Sequence, residues 1–324
     1  MHSPPPTWRS ASRPPASPRS NLVVGSTIGG SLDAAIAALK GTSETARSDA
    51  EELLSRLLGL SRSALHLERD RALGEEQEAR LEVWIQRRRH GEPVQYVTGR
   101  AAFRGLDLAV TTSVLIPRPE TEQLVESVLE VLSAERARWP APRILDLGTG
   151  SGAIALALAQ EWPAATVTAT DQSKDALEIA KANAREHGLE ARVRLLHGDW
   201  FEGVAADERF EVVVSNPPYI AETERDMLPP EVREHEPSQA LYPGPSGLEA
   251  LRTIVDESPR HLVGHGLLAL ELAEMRAQEV LAWLDGAHDW QDVSLRDDLA
   301  GRPRILRARR QPGPAIAPAQ WGEV

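Results

Sequence analysis

The chain has 324 residues, 41% of them hydrophobic, which is enough for about two domains of roughly 150 residues with substantial cores. Its 48 acidic residues outnumber its 36 basic ones and give a net charge of -12. This balance disfavours non-specific binding to duplex nucleic acid, which depends on neutralising phosphates. Because the chain contains no cysteine, disulfides, thiolate metal sites and a cysteine nucleophile are excluded.

The N-terminal segment, residues 1–28, is rich in Pro, Ser and Arg and contains no acid, which predicts a disordered tail. An organelle transit peptide has a similar composition, but the prolines at 4 to 6 and 14 to 15 disfavour an amphipathic helix. The tail has no apolar signal-peptide core, and no apolar run in the chain approaches the roughly 18 residues of a membrane span. We therefore expect a cytoplasmic protein with no membrane partner.

Apolar residues at helical spacing predict a small helical bundle over residues 29–93. One predicted helix has a single apolar face formed by Ala46, Ala50, Leu53, Leu54, Leu57 and Leu58. A second helix is predicted from about Glu75 to Arg89. The side chains expected to face the core are those of Leu81, Val83, Trp84 and Ile85. Gly91 and Pro93 then follow in the order that commonly ends a helix.

The remainder of the chain is predicted to be α/β. Short apolar segments broken by Gly99 and Gly105 predict a β-hairpin linker over 94–118, after which Pro119 begins a helix that runs to about Ala134. Strands near 143–147, 165–170, 191–196, 210–215 and 266–272 then alternate with helices near 151–161, 173–187, 247–258 and 274–284, as in a parallel sheet. This second domain is predicted over 119–310, and a proline-rich flexible tail over 311–324.

A glycine-rich turn follows the first of these strands, and its residues are Gly148, Thr149, Gly150, Ser151 and Gly152. Glycine permits close approach of a ligand to the backbone, and Asp171 at the end of the next strand can accept both hydroxyls of a ribose. The spacing does not match the pyrophosphate fingerprint G-x-G-x-x-G, so a cofactor with a ribose but no diphosphate fits better. S-adenosylmethionine is the obvious candidate, while a tight turn with a helix cap is the alternative.

Two further segments follow later strands. Trp200, just past the third strand, could stack on an adenine ring or be a half-buried packing residue. The apolar strand 210–215 stops at Asn216-Pro217-Pro218-Tyr219. An amide oxygen, a rigid backbone carbonyl and an aromatic ring at a strand end predict a clamp for a planar group that carries an NH₂.

Residues 30 to 308 resemble the release-factor glutamine methyltransferase family. Besides the two motifs above, the matching segments are Gly-Glu-Pro-Val-Gln-Tyr-Val-Thr-Gly at 91–99, Leu-Ile-Pro-Arg-Pro-Glu-Thr-Glu at 115–122, Gly-Asp-Trp at 198–200 and Gly-Arg-Pro-Arg at 301–304. Two segments depart from the family pattern: the loop 240–248 lacks both of its acids, and 271–276 reads Glu-Leu-Ala-Glu-Met-Arg.

The resemblance implies a seven-stranded, Rossmann-like class I methyltransferase domain after the helical bundle and hairpin. It implies that S-adenosylmethionine contacts Gly148, Thr149, Gly150, Ser151, Gly152, Asp171, Trp200 and Asn216. The substrate would be the glutamine of the Gly-Gly-Gln motif of peptide chain release factors, methylated on its side-chain nitrogen and held by Asn216, Pro217, Pro218 and Tyr219. We expect Asn216, Pro217 and Tyr219 to be the catalytic residues, with no metal, no direct nucleic-acid partner and a monomeric protein.

Two other functions compete with this interpretation. A DNA adenine N6-methyltransferase uses a similar clamp on an exocyclic NH₂, but it needs a base-flipping surface with basic character. Here the helical bundle has mixed charge, and the long connection from 220 to 246 is acidic. The second alternative is a non-catalytic module that binds the cofactor or the ribosome. A methyl-transfer assay with a release factor and with duplex DNA distinguishes the three.

Overall fold

The computed structural model describes residues 27–312, which form two compact units, one ending at Arg89 and one beginning at His90. The predicted tails over 1–28 and 311–324 lie outside the described residues, apart from the innermost two positions of each. Ile28 already begins the first helix and is fully buried. Among the helices within 27–312, none combines the length and the apolar character needed to cross a membrane.

The first unit consists of four helices, which confirms its predicted helical character: α1 (Ile28–Leu39), α2 (Ala46–Leu58), α3 (Arg62–Leu67) and α4 (Glu75–Arg89). Its core is formed by the fully buried side chains of Leu32, Leu53, Leu54, Leu65, Leu81 and Ile85. One predicted core residue was wrong: Val83 is 58% exposed. At about 100° per residue, Val83 points away from the face shared by Leu81 and Ile85.

The second unit begins with α5 (Val94–Thr98), β1 (Arg100–Phe103) and β2 (Leu106–Ala109), followed by α6 (Pro119–Ala134). The antiparallel hairpin is confirmed, but it occupies 100–109 only, because 94–98 is helical rather than extended. Gly99 ends α5 in the left-handed conformation, and the Tyr96 hydroxyl donates a hydrogen bond of 2.6 Å to the carbonyl of Val114. Tyr96 is buried, and its packing outweighs the strand propensity of its neighbours.

The remaining elements alternate along the chain: β3 (Arg143–Leu147), α7 (Ala153–Glu161), β4 (Thr166–Asp171), α8 (Lys174–Glu186), β5 (Val193–His197), β6 (Phe210–Ser215), α9 (Pro230–His235), α10 (Glu249–His261), β7 (Leu262–Glu271), α11 (Ala277–Asp285), β8 (Trp290–Asp297) and β9 (Pro303–Arg310). Short 3₁₀ helices lie at Glu222–Met227, Ser238–Ala240 and Glu274–Arg276. The sequence pattern alone did not predict α9, β8 or β9.

The sheet has seven strands in the order β5-β4-β3-β6-β7-β9-β8, which confirms the predicted fold class. The strands from β3 to β7 are parallel, and β9 is antiparallel to both of its neighbours. Both faces are covered, since in β6 the side chains of Val212 and Val214 pack into one apolar core and that of Val213 into the other. A continuous apolar run is typical of such a doubly covered parallel strand.

Candidate active site

The predicted site residues come together at the carboxyl ends of three neighbouring strands. Leu147 at the end of β3 pairs with Ser215 at the end of β6, so Gly148 and Asn216 leave the sheet side by side. β4, which ends at Asp171, lies on the other side of β3. The strand order reverses between β3 and β6, and this is the position at which open α/β sheets bind ligands.

A cleft of about 920 Å³, partly open to solvent, lies at this edge of the sheet. Of the predicted cofactor residues, those that line it are Gly148, Thr149, Gly150, Ser151, Asp171, Trp200 and Asn216. Gly152 is not brought to the cleft. A Cβ atom there would lie 3.1 Å from the Leu156 side chain and 3.3 Å from that of Ala180, so Gly152 allows α7 to approach α8.

Asp171 holds the glycine turn in place. One of its carboxylate oxygens accepts the backbone N–H of Gly150 at 2.8 Å, and the other accepts that of Ser173 at 2.8 Å. Burial raises the pKa of Asp171, and the two N–H donors oppose this shift. Each oxygen keeps a further lone pair, so the carboxylate can still accept the two hydroxyls of a ribose. At Gly150, with φ of +56°, a Cβ atom would point into open space, which leaves room for a ligand.

Trp200 both packs and lines the cleft. Its backbone has a φ of +45°, which is uncommon for a residue other than glycine. The Thr170 hydroxyl donates to the Trp200 carbonyl at 2.7 Å and helps to hold this conformation. The half-buried indole packs against a core cluster and faces the cleft beside Gly148. The two roles left open by the sequence are therefore compatible.

The cleft lined by the predicted cofactor residues is the cofactor cleft. The segment Asn216-Pro217-Pro218-Tyr219 separates it from a second cleft of about 820 Å³. Asn216 and Pro218 line both clefts, whereas Pro217 and Tyr219 line only the second. Four predicted substrate residues thus lie together, with the Asn216 side chain at the junction. A planar group that enters through the second cleft would meet Asn216 at the border of the first.

Two residues that the sequence reasoning missed bind the tip of this segment. The Asn216 Nδ2 donates to the hydroxyl of Thr121 at 2.9 Å, and this hydroxyl donates to Glu271 at 2.7 Å. The Tyr219 hydroxyl donates to the other oxygen of Glu271 at 3.2 Å. Burial raises the pKa of Tyr219, with the neighbouring Glu271 carboxylate adding to the shift. The phenol of Tyr219 is therefore a hydrogen-bond donor at neutral pH.

A second missed pair joins the start of α6 to the long connection after Tyr219. Arg118 lies at the border of both clefts, and its Nη2 lies 2.5 and 2.6 Å from the two oxygens of Glu236. Glu236 is 6% exposed, and its burial raises its pKa while the charge of Arg118 lowers it. This ion pair fixes the acidic connection next to the junction of the clefts.

The loop 240–248, which lacks the acids of the family pattern, packs against the same segment. The Leu241 carbonyl accepts the N–H of Ile220 at 3.1 Å. At Gly247, a Cβ atom would lie 2.7 Å from the Tyr219 carbonyl oxygen and 2.8 Å from the Ala221 nitrogen. Glycine is thus required for this close approach, and Glu249 stabilises the loop by accepting the N–H groups of Ser246 and Leu248.

Asp146 is a fully buried residue in β3, and its carboxylate accepts a hydrogen bond from the Thr149 hydroxyl at 2.6 Å. Burial raises the pKa of Asp146 to about 7. Because the unfolded chain releases this proton at lower pH, the folded protein loses up to about 1.4 kcal/mol of stability per unit as pH rises from 5 to 7. Urea unfolding of Asp146→Asn should show a weaker decline than the wild type over this range.

The matched control is Asp207→Asn, on an exposed loop between β5 and β6, which should leave the wild-type pH dependence intact. Parallel stability curves for the wild type and Asp146→Asn would show that Asp146 does not titrate in this range.

Within residues 27–312, no group of three or more acidic or histidine side chains could hold a metal ion. The polar groups that line the cofactor cleft are backbone amides, hydroxyls, carboxylates, side-chain amides and one guanidinium. These groups suit a nucleoside with a charged tail.

Comparison with known proteins connects both units to methyltransferases. Residues 31–99 match the family model of the PrmC N-terminal domain, and residues 124–230 match that of the methyltransferase small domain. The chain is 41% identical over 273 residues to the release factor glutamine methyltransferase of Rhodopirellula baltica, covering 84% of this chain and 92% of that protein. It is 44% identical over 266 residues to the enzyme of the same name from Geobacter sulfurreducens, covering 82% and 90%.

Among solved structures, the hMettl16 catalytic domain in complex with an RNA hairpin is 15% identical, with a TM-score of 0.51 over 75% of this chain and 83% of that chain. This likeness concerns the fold alone. Together, the seven-stranded sheet, the cleft at its reversal point and the matching domain models define a Rossmann-like methyltransferase. The chain belongs to the release factor glutamine methyltransferase family.

Proposed function

We propose that this enzyme transfers a methyl group from S-adenosylmethionine to the side-chain amide nitrogen of a glutamine in peptide chain release factors. The glutamine would be that of the Gly-Gly-Gln motif. The observation that carries the proposal is the position of Asn216, which borders the cleft of Gly150 and Asp171 on one side and the cleft of Pro217 and Tyr219 on the other. In a chain of this family, this arrangement supports an amide clamp directly beside a nucleoside site.

The cofactor would lie in the first cleft. Asp171 would accept the ribose hydroxyls through its remaining lone pairs, and the Trp200 indole would stack on the adenine. The positive φ of Gly148 and Gly150 would let the backbone approach the nucleoside closely. When bound, S-adenosylmethionine supplies an electrophilic methyl group on a positively charged sulfur.

The substrate carboxamide would be held by the strand tip. An amide nitrogen is a poor nucleophile because its lone pair is delocalised into the carbonyl group. The side-chain oxygen of Asn216 and the backbone carbonyl of Pro217 would accept its two N–H groups and stabilise the positive charge that grows on nitrogen. Tyr219 would pack on the amide plane and hold the nitrogen in line, where orientation contributes several kcal/mol. The surplus proton leaves nitrogen after transfer, so no base is needed beforehand.

The test is incubation with labelled S-adenosylmethionine and a purified release factor, followed by mass mapping of the modified peptide. We expect one methyl group on the glutamine of the Gly-Gly-Gln motif and none on a release factor with that glutamine changed to alanine. Label on duplex DNA instead would support the adenine methyltransferase alternative, and label on neither would support a non-catalytic module. The cytoplasmic location and the monomeric state stay predictions from the sequence.

A further inference from the structure

Three side chains from distant parts of the chain form a continuous hydrogen-bonded row behind the strand tip. Thr121 in the first turn of α6 lies between Asn216 and Glu271, 2.9 Å from the Asn216 Nδ2 and 2.7 Å from a Glu271 oxygen. Thr121 is 4% exposed and Glu271 is 1% exposed, so water does not compete for these bonds. The row is therefore a fixed part of the site.

The chemistry of the row gives it one direction. A threonine hydroxyl has a single proton, and an ionised carboxylate can only accept. Thr121 therefore donates to Glu271, and its lone pairs are left to accept from its other neighbour. That neighbour must present N–H, which fixes the Nδ2 of Asn216 toward Thr121 and turns its Oδ1 the other way.

The direction is kept if Glu271 is protonated on the oxygen that faces Tyr219. Burial raises the pKa of Glu271, while the hydroxyls of Thr121 and Tyr219 and the charge of Arg304 lower it. If the carboxyl group takes up a proton on the oxygen that faces Tyr219, the phenol oxygen can accept it. The other oxygen still accepts from Thr121, so the Asn216 amide keeps its orientation.

We propose that Thr121 and Glu271 are positioning residues that fix the orientation of the Asn216 amide and thereby make the site select a carboxamide over a carboxylate. With Oδ1 presented to the ligand, an incoming NH₂ finds an acceptor, whereas a carboxylate oxygen meets another oxygen. A site built around a hydrogen bond strongly rejects a ligand that leaves its group unpaired. The inference rests on the proposed function and adds the determinant that distinguishes glutamine from glutamate.

The experiment compares binding of two release factors, one with the Gly-Gly-Gln glutamine and one with glutamate in its place, to enzyme saturated with S-adenosylhomocysteine. We expect the wild type to prefer glutamine. Thr121→Val removes the hydroxyl at nearly constant volume, which frees the Asn216 amide to turn. Its preference for glutamine should fall at least about tenfold, and kcat should fall with it, since the amide alternates between two orientations. The dissociation constant of S-adenosylmethionine should stay within about twofold of the wild-type value.

Thr121→Ser keeps the hydroxyl and should restore the preference. Thr168→Val is the matched control, because Thr168 is a buried threonine of β4 whose hydroxyl accepts from Arg194, away from the clamp. Should valine lower the melting temperature of the variant too far for binding measurements, Thr121→Ala removes the same hydroxyl without adding bulk.

Wild-type preference for glutamine in both Thr121→Val and Thr121→Ala would overturn the inference. An equal loss of the preference for glutamine in Thr121→Ser would also overturn the inference, because the effect would then come from packing rather than from the hydroxyl. The proposed function is judged separately, since it fails only if the wild type itself does not methylate a release factor.

Discussion

Replacing Asn216 by alanine is expected to reduce the rate of methyl transfer by about 100- to 1,000-fold, the usual effect of removing one group that stabilises developing charge. The variant loses the oxygen that would accept the amide N–H, and the Thr121 hydroxyl loses its donor. The dissociation constant of S-adenosylmethionine should rise by less than about tenfold, because Gly150, Asp171 and Trp200 remain. Single-turnover transfer to a release factor and calorimetry with the cofactor measure the two quantities.

The matched control for this truncation is Gln278→Ala, which removes a side-chain amide from an exposed position of α11 outside both clefts. It should behave as wild type in both measurements. A near wild-type rate for Asn216→Ala would contradict the clamp, whatever the fate of cofactor binding.

The parallel strands β3 and β6 were predictable from sequence because each is a short, largely apolar run with a clear end. β3 and β6 were predicted at the bounds that the structure shows, since Gly148 ends one run and the prolines after Asn216 end the other. β8 and β9 have no such run. β9 carries Arg304, Arg307, Arg309 and Arg310. Arg307 pairs with Glu130 of α6, and Arg309 pairs with Glu135, the residue that follows α6. Only the family resemblance implied seven strands.

The same contrast holds within the site. Asp171 and Asn216 were predictable because each directly follows a strand, and parallel strands align their ends without any further information. Thr121 lies 95 residues from Asn216 and 150 from Glu271, so their hydrogen bonds depend on how α6 and β7 pack beside β6. Thr121 stood in a segment that carried the family resemblance, whereas Glu271 began a segment that departs from the family pattern, and no local spacing assigned a role to either residue. Gly152 shows the opposite case, a motif residue that the structure uses for helix packing.

Replacing Asp171 by alanine is expected to raise the dissociation constant of S-adenosylmethionine by about 10- to 100-fold, because hydrogen bonds to a charged group contribute about 1.5–3 kcal/mol. The variant loses the proposed acceptor of the ribose hydroxyls and leaves the N–H groups of Gly150 and Ser173 without their partner. Calorimetry with the cofactor measures the change. Asp207→Ala, on its exposed loop, is the control and should bind like the wild type.

A ligand series separates the ribose contact from a general loosening of the turn. Adenosine should bind Asp171→Ala more weakly than the wild type. In contrast, 2′,3′-dideoxyadenosine lacks the 2′- and 3′-hydroxyls of the ribose. It should bind the wild type and Asp171→Ala about equally, because neither protein can form a hydrogen bond to hydroxyls that the ligand does not have. An equal loss of affinity for the two nucleosides would mean that Asp171 acts only through the Gly150 turn. An unchanged dissociation constant for S-adenosylmethionine itself would remove Asp171 from the cofactor site.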